Sequence, residues 1–303
     1  MIKFLFILSL IACLVLVGVY TIVSSKEKLK PTVQVSLPIP TSITQQAVVT
    51  TPLSSTLKIK DKVKAELGGI GGTYGVAVKD LKRNATYHEN EHIPFEAASL
   101  YKLWVMAVAY QQIQSGKLSE GEILTGDASG FSYEFGDFAT PGESGGSYTV
   151  KDALKQMITV SDNYSAYLLS NKIGLSSITD FLDKNGFRES YIEVDNPTTT
   201  AYDVSLFFEK LYKGQLANKT NTDKMLSLLR DQQLNGGIPK YLPEGILVAH
   251  KTGDINSFTH DAGIVYGTKR DYIIVVLTNS GEKKNVQEEI ANFSKAIYNY
   301  FLN

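Results

Sequence analysis

The sequence predicts an α/β (α+β) domain: an antiparallel sheet flanked by helices, with an all-α lobe inserted between its two halves. Three observations lead there. Over residues 57–303 the pattern runs helix, two strands, several helices, three strands and a closing helix. The three late β-rich runs are joined by connections too short for a crossover, which favours antiparallel pairing. Strands at both ends of the domain with helices between them imply one sheet assembled from both ends of the chain.

Each element has its own signal. Leu57 to Leu67 has helical spacing and stops at Gly68-Gly69. Tyr74-Gly-Val-Ala-Val-Lys-Asp-Leu81 and Ala85 to Glu89 flank the hairpin-like turn Lys82-Arg83-Asn84. A long apolar-rich helix is expected from Ser99 to Gly116, followed by a Gly- and aromatic-rich loop from Gly126 to Gly146. Thr149-x-x-Asp152, Ser177-x-x-Asp180 and Thr200-x-x-Asp203 each precede an apolar helical run and read as N-terminal capping signals. Gly245-Ile-Leu-Val-Ala-His250, Ala262-Gly-Ile-Val-Tyr266 and Tyr272-Ile-Ile-Val-Val-Leu-Thr278 are the late strands, and Val286 to Leu302 is an amphipathic helix.

The first 56 residues follow other rules. Phe4 to Val23 is a run of 20 residues without a charge, with Lys3 before it and Lys26, Lys28 and Lys30 after it. That length spans a bilayer core, whereas a cleaved signal peptide has a shorter apolar stretch. Residues 1–25 are therefore expected to be a membrane anchor or signal segment that leaves the rest of the chain extracytoplasmic. Leu10-Ile11-Ala12-Cys13 offers an alternative, a lipoprotein box with Cys13 lipidated. More positive charge follows the span than precedes it, which runs against this orientation. Residues 26–56 read as a Pro/Ser/Thr-rich tether: from Pro31 to Leu57 there are four prolines and no charge.

Composition narrows the function. Thirty Lys and Arg against 31 Asp and Glu give a net charge of −1, no electrostatic footprint for a nucleic acid. A single cysteine excludes an intrachain disulfide framework, a cysteine zinc site and a Cys-x-x-Cys redox pair. No cofactor or metal is expected, and the chain is expected to act as a monomer.

Chemistry enters with three short motifs, in order Ser99-Leu-Tyr-Lys102, Ser161-Asp162-Asn163 and Lys251-Thr252-Gly253. Ser-x-x-Lys alone is uninformative, because it recurs at Ser25/Lys28, Ser55/Lys58 and Ser280/Lys283. The copy at Ser99 differs in context: it opens the apolar helical run Leu103-Trp-Val-Met-Ala-Val-Ala109, so Lys102 lies one turn away on the same face. A serine hydroxyl needs an adjacent base, and a lysine serves as one only when desolvation and a second cation lower its pKa. Ser161-Asp162-Asn163 falls at a break between helices, where a hydroxyl and an amide can project toward the nucleophile. Lys251-Thr252-Gly253 ends an apolar strand, and its glycine allows close approach of a substrate.

With these motifs the sequence resembles the penicillin-recognising serine hydrolases, specifically the class A β-lactamase family, over roughly Leu57 to Asn303. The resemblance implies a β-lactamase-like fold and an enzyme that acts on β-lactams or on the D-Ala-D-Ala ends of peptidoglycan stems. It makes Ser99 the acylated nucleophile, Lys102 its general base and Ser161 the proton shuttle to the departing nitrogen. It gives Asn163 the task of holding Lys102 and the substrate amide, and Lys251 and Thr252 the substrate carboxylate. The backbone N–H groups of Ser99 and Asp254, beside Gly253, would form the oxyanion hole, each such donor being worth on the order of 10²–10³ in rate. Tyr148-Thr-Val-Lys-Asp152 and Thr198-Thr-Thr200 also look like the family.

Two departures qualify the resemblance. The family's fast hydrolases carry a water-activating glutamate in a Glu-x-x-Leu-Asn stretch. Here 34 residues separate Asn163 from Thr198, without that stretch; the nearest carboxylates are Glu193 and Asp195. The look-alike Asp231-Gln-Gln-Leu-Asn235 comes after the threonine run, at a helix end, and is rejected. Where many relatives place a carboxylate-binding arginine, this chain has His260-Asp261-Ala262, so carboxylate recognition would rest on Lys251 and Thr252 with help from His260. The expectation is therefore a serine acyl-enzyme hydrolase of slow turnover; the alternative is a D-Ala-D-Ala peptidase or a penicillin-binding sensor. A Ser-His-Asp triad through His260-Asp261 lacks a Gly-x-Ser-x-Gly elbow. His250 reads as a strand residue, and Phe131, Tyr133, Phe135 and Phe138 either rim the site or anchor a loop.

Overall fold

The computed structural model describes residues 53–126, 146–192, 196–281 and 285–302. The proposed anchor, the proposed tether up to residue 52, the four aromatics from Phe131 to Phe138, and Glu193 and Asp195 lie outside the described residues; the last four residues of the expected tether are helical. Among the described residues no helix is long and apolar enough to cross a membrane.

The domain opens with α1 (Leu53–Leu67), β1 (Thr73–Asp80) and β2 (Ala85–Glu89), and closes with β7 (Leu247–Ile255), β8 (Phe258–Tyr266), β9 (Asp271–Asn279) and α8 (Val286–Leu302). These strands form one antiparallel sheet in the order β2-β1-β9-β8-β7. The pairing of β1 with β9, from Thr73↔Asn279 to Asp80↔Tyr272, joins the two ends of the domain as expected. Helix α1 starts four residues before the expected Leu57, directly after Pro52, because nothing between that proline and Leu57 breaks a helix.

Between the two halves of the sheet lie β3 (Phe95–Glu96), a 3₁₀ turn (Ala98–Tyr101), α2 (Lys102–Gln114), β4 (Ile123–Thr125), β5 (Ser147–Thr149), α3 (Val150–Thr159), α4 (Asn163–Ile173), α5 (Leu175–Asn185), β6 (Thr198–Thr199), α6 (Ala201–Tyr212) and α7 (Lys219–Arg230). Two short ribbons, β3 with β6 and β4 with β5, tie these segments together.

Alternation along the strands divides the core in two. Val76, Val78, Ile274, Val276 and Val265 face α1 and α8, packing with Val63, Leu67, Ile290, Phe293 and Ile297. Ala77, Ala249, Ala262, Ile264, Ile273, Val275 and Leu277 face the helical lobe. At the centre of that lobe α2 is buried on every side from Lys102 to Tyr110. A helix apolar all round belongs in a core, and this one carries the site.

The helix starts follow their caps, with one exception. Thr149 Oγ1 accepts the Asp152 N–H at 3.0 Å, and Thr200 Oγ1 accepts the Asp203 N–H at 3.2 Å. Ser177, in contrast, lies inside α5. Gly174, at φ +82°, ends α4 and lets α5 begin at Leu175, so no serine is needed as the cap. Thr149→Ala should lower stability by about 1 kcal/mol, read as the shift of the urea midpoint, with the site's reactivity unchanged.

Candidate active site

Ser99 lies in the 3₁₀ turn rather than in the first turn of an α-helix, and Lys102 is the first residue of α2. The turn is tense. Ala98, just before the nucleophile candidate, has φ +45°, a region that side chains with a β-carbon seldom adopt and that costs on the order of 1–3 kcal/mol. It is held on one side by β3, paired with β6, and by the Ala97 N–H, which donates to the Pro197 carbonyl at 2.6 Å. Ser99 itself is half-buried.

Lys102 is fully buried, and its Nζ donates to the Ser161 carbonyl at 2.5 Å, to Asn163 Oδ1 at 2.6 Å and to Ser161 Oγ at 3.3 Å. The Ser161 turn makes this possible by its own left-handed backbone, φ +61°, which turns its carbonyl and its hydroxyl toward the same amine. Asp162 stabilises the turn by capping α4, accepting the Ser165 N–H at 2.6 Å.

Lys251 reaches the same hydroxyl from the sheet. It lies within β7, which continues to Ile255, and not at the strand's end; β7 is the edge strand. Lys251 Nζ donates to Ser161 Oγ at 2.9 Å and to the Thr252 carbonyl at 2.8 Å, and the side chain is fully buried. Burial first, and the Lys102 charge second, hold the Lys251 amine well below the ordinary ammonium range, while Asp261 acts weakly in the opposite direction. The hydroxyl of Ser161 thus stands between two buried amines drawn from distant parts of the chain. With both oxygen lone pairs taken by those amines, its own proton is available to a third group.

Gly253 brings β7 against the nucleophile turn. A β-carbon there would lie 3.2 Å from the Ala97 carbonyl oxygen and 3.3 Å from Ala98 Cβ, closer than side chains normally pack. Thr252 is half-buried and Asp254 exposed. The residues of all three motifs therefore meet at the seam between sheet and lobe.

His260 does something other than expected. It is 1 % exposed, its Nε2 contacts the Glu96 carbonyl at 2.8 Å, and its Nδ1 accepts the Thr278 N–H at 3.1 Å. Both ring nitrogens are occupied by backbone, so His260 has none left for a substrate carboxylate. Nor can it form a triad with Asp261, since neighbours on a strand point to opposite faces. Asp261 instead pairs with His250 across the far face, Oδ1 to Nδ1 at 2.8 Å, and its Oδ2 accepts the Ile238 N–H at 2.8 Å. His250 Nε2 contacts Asn235 Oδ1 at 3.0 Å, so a chain runs from the buried Asp261–His250 pair to an exposed amide, which the sequence did not reveal.

The rejected Asp231–Asn235 stretch is a connector: Asp231 ends α7, and Gln232 ties it to α3 through the Ile158 carbonyl at 2.8 Å. Between α5 and β6 the one carboxylate among the described residues is Glu189. It is engaged by Thr200 Oγ1 at 2.7 Å and by His92 Nδ1 at 2.9 Å. His88 and His92 have the four-residue spacing of a helical metal motif, but they lie on β2 and just after it. Among the described residues no group of three or more His, Cys, Asp or Glu is placed to hold a metal ion.

Solved structures share the fold. A beta-lactamase from Sphaerobacter thermophilus has a TM-score of 0.72 at 22% identity, covering 81% of this chain and 96% of its own. PBP-A has 0.73 at 22%, covering 83% and 97%, and a variant of it is known as an acyl-enzyme complex with penicillin G. The TLA-1 extended-spectrum beta-lactamase has 0.72 at 22%, covering 82% and 100%. No curated protein matches the chain. The sequence profile of the beta-lactamase enzyme family matches residues 58–301, and the chain belongs to that family.

Proposed function

We propose that this protein is a serine acyl-enzyme that opens β-lactams on Ser99 and releases the product slowly. The observation that carries the reading is the Ser161 hydroxyl held between Lys251 and Lys102, the latter three residues after Ser99 at the start of α2. Lys102, as the free amine, takes the Ser99 Oγ proton while Oγ bonds to the lactam carbonyl carbon. The oxyanion that forms is met by the backbone N–H groups of Ser99 and Asp254. When the carbon–nitrogen bond breaks, Ser161 gives its proton to the departing nitrogen and is reprotonated from the lysines beside it. Asn163 holds Lys102, and Lys251 and Thr252 take the substrate carboxylate. Water then attacks the ester, returning the proton to Ser99.

Slow release is supported by the lack of a Glu-x-x-Leu-Asn stretch between Asn163 and Thr198. The described carboxylate nearest in sequence to the place of the family's water-activating glutamate is committed to Thr200 and His92. The same observation favours a second reading, a peptidase for the D-Ala-D-Ala ends of peptidoglycan stems, or a sensor in which acylation is the output. The charge-free run from Phe4 to Val23 supports an extracytoplasmic, membrane-anchored domain.

A fluorescent penicillin with mass spectrometry over time tests these readings. A stoichiometric adduct that decays over minutes to hours with hydrolysed product is the expected result. A label that persists without product selects the peptidase or sensor, and no adduct at all refutes the acyl-enzyme.

A further inference from the structure

His260 connects two parts of the protein that the chemistry must keep in register. A backbone N–H can only donate, so the Thr278 contact makes Nδ1 the lone-pair nitrogen. Nε2 then carries the hydrogen and donates it to the Glu96 carbonyl. One neutral tautomer is specified by two backbone groups. Thr278 belongs to β9, at the middle of the sheet, and is itself fixed by its Oγ1, which donates to the Thr259 carbonyl at 2.6 Å. Glu96 is the last residue of β3, three residues before Ser99, and the strained Ala98 lies between them.

The surroundings of the ring leave it little room to move. Phe95 of β3 and Phe258 of β8 each present an edge to it, with ring centroids 6.1 Å away. A β-carbon on Gly253 of β7 would lie 3.3 Å from its Cδ2. Of the charged side chains on the elements packed around it, Asp254 is the one that acts on the ring, favouring its protonation. Burial is the largest influence and pushes the imidazole down to about 4, outweighing the Glu96 and Thr259 backbone contacts and the Asp254 charge, all of which favour protonation.

We infer that His260 is a positioning residue, which holds the Ser99 turn against β7 by donating its Nε2 hydrogen to the Glu96 carbonyl. The hydrogen bonds of the ring go to the backbone of Glu96 and Thr278. Its action is on the backbone that aims Ser99: without the tie, the tense 3₁₀ turn can relax away from Lys102 and from the Asp254 N–H. The tautomer follows from the structure alone, while the kinetic consequence rests on the acyl-enzyme reading.

The experiment combines both. In ¹⁵N-labelled wild-type protein the His260 ring should be neutral with its hydrogen on Nε2 from pH 8 down to pH 5; a hydrogen on Nδ1, or an imidazolium at pH 6, overturns the proposal. His260→Leu, which fills space but cannot donate, should lower the limiting acylation rate by about 10²-fold, the loss expected of a misplacement near 1 Å, with the penicillin Kd before acylation unchanged. His260→Gln, whose amide can donate, should recover at least part of that rate. Equal acylation by wild type and the Leu variant overturns the proposal, as does a loss confined to Kd. Amide exchange at Ala97 and Leu100 is independent of chemistry and should quicken in the Leu variant. If wild type takes no label, it is the acyl-enzyme reading that fails, and unchanged exchange at those two amides would still refute the positioning role. Should the Leu variant not fold, the Gln variant and the wild-type spectrum decide.

Discussion

Ser99→Ala is expected to abolish penicillin labelling altogether while the protein keeps its wild-type circular dichroism and urea midpoint. Ser99 is half-buried in a 3₁₀ turn, so removing its hydroxyl deletes one oxygen and leaves no large cavity. The neighbouring backbone is set by Ala98, by the β3–β6 ribbon and by the Pro197 carbonyl, none of which the substitution touches. An intact fold with no adduct is thus the combination to look for. The competing view, in which Ser99 merely opens a core helix and has no chemistry, predicts that Ser99→Ala labels as the wild type does. A stoichiometric adduct on the variant would end the assignment.

Lys102→Met should slow acylation by about 10²–10⁴-fold, the range that a positioned general base supplies. Methionine has nearly the length of the lysine stem, so the space at the start of α2 stays filled. What is lost is the donor to the Ser161 carbonyl and to Asn163 Oδ1, two acceptors at 2.5 and 2.6 Å. Leaving buried acceptors short of a partner costs about 1–3 kcal/mol, so a lower urea midpoint should accompany the kinetic loss. Lys102→Arg separates charge from basicity. A guanidinium restores a cation that cannot give up its proton near neutrality, so acylation should stay as slow as in the Met variant. Near-normal acylation by the Arg variant would show that position 102 acts through charge alone.

The buried imidazole predicts an acid effect of definite sign. His260 has a folded-state value of about 4, below the ordinary histidine value of about 6.5. Below pH 6.5 the unfolded chain therefore binds a proton that the folded protein refuses. Stability is lost as pH falls from about 6.5 to about 4, by roughly 3 kcal/mol in total, and no further below that. Urea titrations of wild type and His260→Gln at pH 7 and pH 4.5 isolate this contribution. The variant should lose less stability on acidification than the wild type, and equal losses would contradict the depressed value.

Much of this was legible in the amino acids. The three motifs could be read because each places a reactive side chain at an element boundary or on an edge strand, and their meeting at Ser161 follows from the fold. The antiparallel sheet built from both ends was legible because its connections are short. His260 was misread for a physical reason: it stands where many relatives place a carboxylate-binding arginine, but the fold buries its ring and engages both nitrogens with backbone groups of other strands. Ser177 was misread because a glycine at positive φ can start a helix with no side-chain cap. The His250–Asp261–Asn235 chain was invisible because its members come from two strands and a connector, and only the register of β7 with β8 brings them together.

The β1–β9 pairing also governs how the protein is made. Strand β1 is synthesised long before its partner Asp271–Asn279, with the whole helical lobe made between them. Until then the middle of the sheet is missing, and the lobe that carries Ser99 and Lys102 has no floor to rest on. Loop closure over nearly the whole domain must precede that reward, which makes for slow, late folding. A chain cut short before β9 should be cleared by quality control and not persist as a partly active fragment, and any chaperone that assists this protein would have to hold its first hairpin until its last strand appears.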